Sequence, residues 1–127
     1  ATRGRTAEVG AFIESLLAQH RPDVELIIVD QNEDDRLDAI LAGYRDRLAL
    51  TRIRSARANA NHARNLGLAR AHGAIVGFPD DDCLYPPGLL DRVAACFNDH
   101  PAVALLTGPA ESPAGGLGSG RWRAEAG

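Results

Sequence analysis

A short apolar run that ends in three consecutive aspartates, at residues 80–82, constrains this chain more than any other stretch. The run occupies residues 74–78, lies between Gly73 and Pro79, and is partly β-branched, which favours a buried strand over a helix. Acidic residues just past the carboxyl end of a parallel strand lie where open α/β sheets bind ligands. The stretch therefore predicts a strand that leads into a ligand site.

The three adjacent carboxylates repel one another, and a bound cation would relieve that repulsion. Asp80 and Asp82 are two positions apart, so in extended chain their side chains point to the same side and can share one ion. An oxygen-only site without a His or Cys pair suits Mg²⁺ or Mn²⁺ that bridges to a phosphate. The alternative is a solvated acidic turn before the next helix, since Asp is common in such turns.

The composition narrows the classes of partner. All 14 basic residues are Arg, which excludes mechanisms that need a lysine, such as that of the P-loop enzymes. The net charge of −3 argues against a nucleic-acid-binding protein, whose surface would be basic. No apolar run reaches membrane-spanning length, and Cys83 and Cys96 are too few for a disulfide framework. We expect a cytoplasmic protein with reduced thiols, no nucleic-acid partner and no membrane segment in this chain.

Helical and strand patterns alternate along the chain. Helices are predicted at residues 9–17, 37–44, 61–72 and 87–97. Strands are predicted at residues 24–29, 48–53, 74–78 and 103–107. This alternation predicts an α/β domain over residues 1–108, with a mostly parallel sheet flanked by helices. Residues 109–127 are rich in Gly, Pro and Ala, and we expect a flexible tail there.

Three blocks of sequence follow one another a few tens of residues apart. They are Val24-Glu25-Leu26-Ile27-Ile28-Val29-Asp30, Asn61-His62-Ala63-Arg64-Asn65-Leu66-Gly67 and Phe78-Pro79-Asp80-Asp81-Asp82. Together they resemble the nucleotide-sugar-binding half of family 2 glycosyltransferases, and the resemblance covers about residues 1–108. It implies a Rossmann-like GT-A fold, incomplete in this chain, and metal-dependent transfer of a sugar, with inversion, from a nucleotide-diphospho-sugar, for which UDP is the first expectation.

The resemblance also implies roles for individual residues. Those implied to bind the substrate are Thr2, Arg3, Arg5, Asp30, Asn61, Arg64, Asn65, Asp80 and Asp81. Among them, Asp30 matches the aspartate that hydrogen-bonds the uracil or its ribose. Asp80 and Asp82 match the outer residues of the Asp-X-Asp motif and are implied to hold Mn²⁺ or Mg²⁺. Arg64 is expected near the motif, where its planar group of donors suits a phosphate.

Two parts of such an enzyme are not found in this sequence. Residues 1–5 look like the loop that follows a first, central strand, and we expect that strand to lie outside the chain given. The acceptor-binding half, which supplies the general base in this family, is also not found, so the catalytic residues are unknown. The acceptor, whether glycan, lipid or protein, is equally open, and the fragment can bind a nucleotide yet transfer nothing.

Other functions remain open at this point. A sugar-nucleotide nucleotidyltransferase also combines an α/β fold with an acidic metal pair, but only Arg3-Gly4-Arg5 hints at its first loop. A receiver-like signalling domain would need a lysine, which this chain lacks. A non-catalytic nucleotide-binding module is the remaining alternative, and only an activity measurement distinguishes it from a transferase.

Overall fold

The computed structural model describes residues 1–109 in full and residues 123–126 as backbone. The chain divides into two compact units, Ala1–Pro87 and Gly88–Gly127. Residues 110–122 and 127, which make up most of the predicted tail, lie outside the described residues. The tail, and the predicted domain boundary at residue 108, therefore stay predictions.

The first unit is an α/β arrangement around a parallel strand pair. Its elements are α1 (Ala7–Leu17), β1 (Glu25–Asp30), α2 (Asp38–Ala42), β2 (Ala49–Arg54) and α3 (Ala60–Leu68). The two strands run parallel, with Glu25 opposite Ala49 and Asp30 opposite Arg54. The predicted α/β class, with a parallel sheet and flanking helices, is confirmed. The carboxyl ends of β1 and β2 consequently lie at the same edge of the sheet.

The hydrophobic core of the first unit lies around β1. Its buried members are Val9, Phe12, Ile13, Leu16, Ile28, Val29, Leu37, Leu41 and Ala63. Neighbouring residues of a strand point to opposite faces, so the burial of both Ile28 and Val29 means that both faces of β1 are covered near its end. Gly67 of α3 packs on one face, where an added Cβ would lie 3.6 Å from Val29 Cγ2.

The strand predicted at residues 74–78 is not formed. Its residues form a bend followed by irregular chain, and Ile75, Val76 and Phe78 are between 40% and 53% exposed. A strand needs a neighbour to satisfy its backbone hydrogen bonds. Among the described residues, the second edge of β1 is paired only by a parallel bridge from Thr2 to Asp30. The apolar run therefore reaches the acidic residues without joining the sheet.

In its described residues, the second unit has one helix and an antiparallel strand pair. Its elements are α4 (Leu89–Asp99), β3 (Val103–Thr107) and β4 (Arg123–Ala126). The strand predicted at residues 103–107 is confirmed, whereas the helix predicted from Pro87 begins at Leu89 after Gly88, whose φ of 71° is left-handed. None of the helices in the described part of the chain has the length and apolar content that crossing a bilayer requires.

Ile13 provides a test of the core, because its side chain is fully buried in α1. We expect Ile13→Ala to lower the free energy of unfolding by about 2–5 kcal/mol, the usual cost of removing a buried aliphatic side chain. Urea denaturation followed by circular dichroism measures this change. Leu68→Ala, at a half-exposed position of α3, is the control and should cost less than about 1 kcal/mol. Equal losses in the two variants would contradict this location of the core.

Candidate functional site

Asp80, Asp81 and Asp82 form a tight turn, called the acidic turn below. The backbone N–H of Cys83 donates to the carbonyl oxygen of Asp80 at 3.2 Å, which closes the turn. The side chains of Asp80 and Asp82 are 72% and 48% exposed. The turn therefore presents carboxylates to the solvent instead of burying them.

Arg5, from the loop before α1, is paired with the acidic turn. Its guanidinium lies 3.2 Å from Asp81 Oδ1 and also contacts Asp82 Oδ2. The hydrogen bond from Arg5 lowers the pKa of Asp82 below its ordinary value, and the same contact raises the pKa of Arg5. The Asp82 carboxylate thus stays ionised across the physiological range.

Arg64, from α3, approaches the same turn. Its Nη2 lies 3.7 Å from Asp80 Oδ1, and its Nη1 donates to Asn61 Oδ1 at 3.5 Å. Arg5 and Arg64 come from segments far apart in sequence, yet both meet the acidic turn. The repulsion among its carboxylates is consequently offset by two guanidinium groups.

The side chains of the acidic turn could hold a divalent ion only if other ligands, such as phosphate oxygens and water, complete its coordination. In the described part of the chain, no three carboxylate, imidazole or thiol groups converge as a complete metal site. Asp80 and Asp82 nevertheless offer hard oxygen donors that are about half exposed or more. Mg²⁺ is usually bound by one or two carboxylates plus phosphates and water. The donor set therefore fits an ion that is shared with a diphosphate.

The loop that carries Arg5 is fixed to the end of β1. Thr2 N donates to Val29 O at 3.0 Å, and Gln31 N donates to Thr2 O at 2.9 Å. Gly4 has a φ of 76°, a left-handed conformation that glycine adopts without strain, and its N–H donates to Asn32 Oδ1 at 2.6 Å. The sheet edge therefore determines where Arg5 emerges.

Asp30 is fully buried at this edge, and both of its carboxylate oxygens are engaged. Oδ1 accepts from the backbone N–H and the side-chain amide of Asn32, at 2.9 and 2.7 Å. Oδ2 accepts from Arg52 Nε at 2.9 Å and contacts Arg52 Nη2. Burial alone would raise the pKa of Asp30, but the hydrogen bonds from Asn32 and Arg52 together hold it below its ordinary value.

Asn32 and Arg52 are site residues that the sequence reasoning missed. Arg52 lies opposite Ile28 in the strand register, so its side chain shares a face with that of Asp30, and it also pairs with Asp38. An Asn two residues after an Asp is a local hydrogen-bonding pattern that was visible in the sequence. The partnership of Arg52 was not visible, because it depends on the register.

The structure brings some of the predicted site residues together and leaves others apart. Thr2 is bridged to Asp30, and its buried Oγ1 has no hydrogen-bond partner among the described residues. Arg3 and Asn65 are exposed, and within the described residues neither side chain has an ion pair or hydrogen bond to the acidic turn. Their roles in binding the substrate stay predictions.

Comparisons with known proteins agree in the family they indicate. The family model described as "Glycosyl transferase family 2" matches residues 1–123. An uncharacterized glycosyltransferase, EpsJ, from Bacillus subtilis (strain 168) is 35% identical over 82 residues, which cover 64% of this chain and 24% of the relative. An uncharacterized glycosyltransferase, alr2836, from Nostoc sp. (strain PCC 7120) is 29% identical over 96 residues, which cover 74% and 30%.

A third relative extends the match along the chain. An uncharacterized glycosyltransferase from Haemophilus influenzae (strain ATCC 51907) is 29% identical over 107 residues, which cover 84% of this chain and 36% of the relative. The chain thus spans between 24% and 36% of the length of these relatives. No solved structure is similar enough to this chain to count as a match.

The buried contacts of Asp30 predict a specific dependence of stability on pH. Because the folded state lowers the pKa of Asp30, its stabilising effect is present above the ordinary value of about 3.9 and is lost as the pH falls through the folded value. We expect Asp30→Asn to be less stable than the unmodified chain near pH 7, with a difference that shrinks below about pH 4. Urea denaturation at a series of pH values measures both chains. A difference that stays constant from pH 7 to pH 3 would contradict this assignment.

Proposed function

This chain belongs to glycosyl transferase family 2, and we propose that its acidic turn binds the diphosphate of a nucleotide-diphospho-sugar through a shared divalent ion. The observation that carries the proposal is the meeting of Arg5 and Arg64 with three adjacent aspartates, of which Asp80 and Asp82 are exposed. Exposed charges of both signs at one place suit a ligand that carries its own charges and its own cation. A turn that merely preceded a helix would have no need of arginines from two distant segments.

The chemistry of the transfer explains this set of side chains. Breaking the bond between the sugar and the diphosphate leaves negative charge on the departing phosphate. A bound Mn²⁺ or Mg²⁺ would stabilise that charge as a Lewis acid. Asp80 and Asp82 hold the ion in this proposal, and Asp81 faces the substrate. The ionised form of Asp82, which would ligate the ion, is favoured by its lowered pKa.

The two arginines change partners when the donor binds. In the structure, the guanidinium of Arg5 neutralises Asp81 and Asp82, and that of Arg64 lies near Asp80. Once an ion and a diphosphate arrive, the carboxylates have a new cation and the guanidinium groups have new acceptors. Arg donors match phosphate oxygens in two-point contacts. We assign Arg5 and Arg64 to the leaving diphosphate.

The nucleoside is assigned to the neighbouring loop and helix. Thr2 and Arg3 lie in the loop along the end of β1, while Asn61 and Asn65 belong to the first two turns of α3. Asp30 is fully buried, so we give it an indirect part in the site, through Asn32 and the backbone of Gly4. The resemblance to family 2 enzymes supports UDP as the nucleotide.

The remaining parts of the reaction belong to the whole enzyme. We propose that the sugar passes, with inversion, to a glycan, lipid or protein acceptor. We assign the acceptor site and the general base to the part of the enzyme that corresponds to the regions of the relatives that this chain does not cover. A cytoplasmic location is supported by Cys83 and Cys96, which are both free thiols.

Calorimetric titration of UDP into the chain tests the donor site. We expect binding with Mn²⁺ present, little or none without it, and a loss of at least about tenfold in affinity for Asp82→Ala, because an ion-ligating carboxylate is removed. Asp23→Ala is the matched control, since Asp23 forms an Arg–Asp pair with Arg21 away from the acidic turn. UDP should bind to that variant as it binds to the unmodified chain.

Three outcomes would count against the proposed function. If the folded chain binds no UDP with or without Mn²⁺, the acidic turn is not a UDP site. The other nucleoside diphosphates would then be titrated. Equal losses in Asp82→Ala and Asp23→Ala would indicate a general effect of charge. Binding that persists without any divalent ion would support the arginines alone as the diphosphate site.

If the arginines exchange partners in this way, Arg5→Gln should have opposite effects on the affinity for Mn²⁺ and on the affinity for UDP. Mn²⁺ alone should bind about two- to fivefold more tightly, since the guanidinium no longer competes for Asp82 and exposed pairs are weak. UDP in the presence of Mn²⁺ should bind more weakly, since a phosphate donor is lost. Manganese binding can be followed by electron paramagnetic resonance and UDP binding by calorimetry.

Arg36→Gln is the control for this experiment, because Arg36 pairs with Asp34 outside the acidic turn. It removes the same charge and should change neither affinity appreciably. A change of the same sign in both affinities for Arg5→Gln would show that the arginine does not move between carboxylate and phosphate.

A further inference from the structure

We propose that Gln19, in the turn just after α1, is the positioning residue that fixes the acidic turn for the donor diphosphate, an inference that rests on the proposed function. Gln19 is a polar residue with only 6% of its surface exposed. Its side chain reaches across to the chain that follows the acidic turn. No side chain of α1 takes part in the reaction proposed above, so this is a separate role.

The contacts of Gln19 join α1 to residues far along the chain. Its Nε2 donates to the carbonyl oxygen of Pro86 at 3.1 Å. It also donates to the carbonyl oxygen of Tyr85, at 3.4 Å. The same nitrogen donates to Ser15 O within the helix at 3.2 Å. Burying an amide costs free energy unless it is hydrogen-bonded. These carbonyl groups supply the partners, and the carbonyl groups of irregular chain need donors in turn.

Two residues of α1 itself contact the same segment. Ser15 Oγ accepts from the backbone N–H of Tyr85 at 3.0 Å and donates to Phe12 O at 2.7 Å. The rings of Phe12 and Tyr85 meet edge to face, with centroids 5.3 Å apart. Phe12 and Ser15 are three residues apart and so lie on the same side of α1, and Gln19 follows in the turn after the helix. Together they bind Tyr85, which lies only three residues after Asp82.

The contacts of Phe12, Ser15 and Gln19 with the segment after the acidic turn, called the anchor below, differ in kind from the ion pairs of that turn. The pairs made by Arg5 and Arg64 are exposed, and in the proposed function they open when the donor binds. The contacts of Phe12, Ser15 and Gln19 involve no group that the donor would claim. Buried hydrogen bonds are also costly to break, because they leave polar groups unsatisfied. The anchor from α1 therefore holds the turn in place while the arginines move to the phosphates.

Gln19→Leu removes the donors while keeping a side chain of similar size. We expect UDP, titrated in the presence of Mn²⁺, to bind about 5- to 50-fold more weakly, since small displacements of positioned groups weaken a site strongly. Glu14→Gln is the matched control, because Glu14 lies on α1 and contacts Arg47 instead of the acidic turn. Both variants are titrated at a temperature at which circular dichroism shows them fully folded.

A coupling measurement separates positioning from a general loss of stability. If Gln19 acts through the acidic turn, Gln19→Leu should cause little further loss of UDP affinity when Asp82→Ala is already present. A full, additive loss in that background would overturn the proposal. Hydrogen exchange at the Tyr85 amide, which donates to Ser15, should be faster in Gln19→Leu and unchanged in Glu14→Gln.

The outcomes distinguish this inference from the proposed function. If the unmodified chain binds UDP and Gln19→Leu binds it equally well, the positioning role is overturned and the donor site stands. If the unmodified chain does not bind UDP with Mn²⁺, both are overturned. Should Gln19→Leu fail to fold, Ser15→Ala repeats the test with a smaller change, because it removes the acceptor of the Tyr85 amide and otherwise only a hydrogen bond within α1. We then expect a smaller loss of UDP affinity, and no loss would overturn the proposal.

Discussion

The buried ion pair between Asp30 and Arg52 is the interaction on which the geometry of the site depends. One carboxylate at the end of β1 accepts from Arg52 on β2 and from Asn32 in the following loop. Removing one partner of such a pair would leave a buried charge without compensation, which is strongly unfavourable. Asn32 in turn holds Gly4, and Gly4 precedes the arginine that meets the acidic turn. A change at the sheet edge is therefore transmitted to the site through a short chain of hydrogen bonds.

The sequence predicted the local features of the fold because they depend on local patterns. The aliphatic run before Asp30 and the periodic helix before it are visible without knowing what packs against them. The run at residues 74–78 has an equally clear strand pattern and still forms no strand. Pairing is a property of two segments, and among the described residues no strand lies beside this run. Strand propensity is a preference for a half-buried pleated surface, and it has no effect where that surface is absent.

The charged side chains of the candidate site could be predicted from the sequence, but the residues that hold them in place could not. Three adjacent aspartates draw attention in any sequence, and the resemblance added Arg5 and Arg64. The supports are Arg52, 22 residues from Asp30, and Gln19, 67 residues from Pro86. Neither has a sequence pattern that reveals its partner, because the partner is determined by register and packing. A buried glutamine in the turn after a helix is a signal only after its burial is known.

The site combines two classes of contact with different exposure. Contacts that must persist are buried: Asp30 with Arg52, and Gln19 with the carbonyl groups after the turn. Contacts that the donor replaces in the proposed function are exposed: Arg5 with Asp82, and Arg64 with Asp80. Water screens exposed ion pairs, so exchanging them costs little, whereas losing a buried hydrogen bond leaves a desolvated group unpaired. In the proposed function, a site built in this way exchanges its arginines between carboxylates and phosphates without losing the position of its carboxylates.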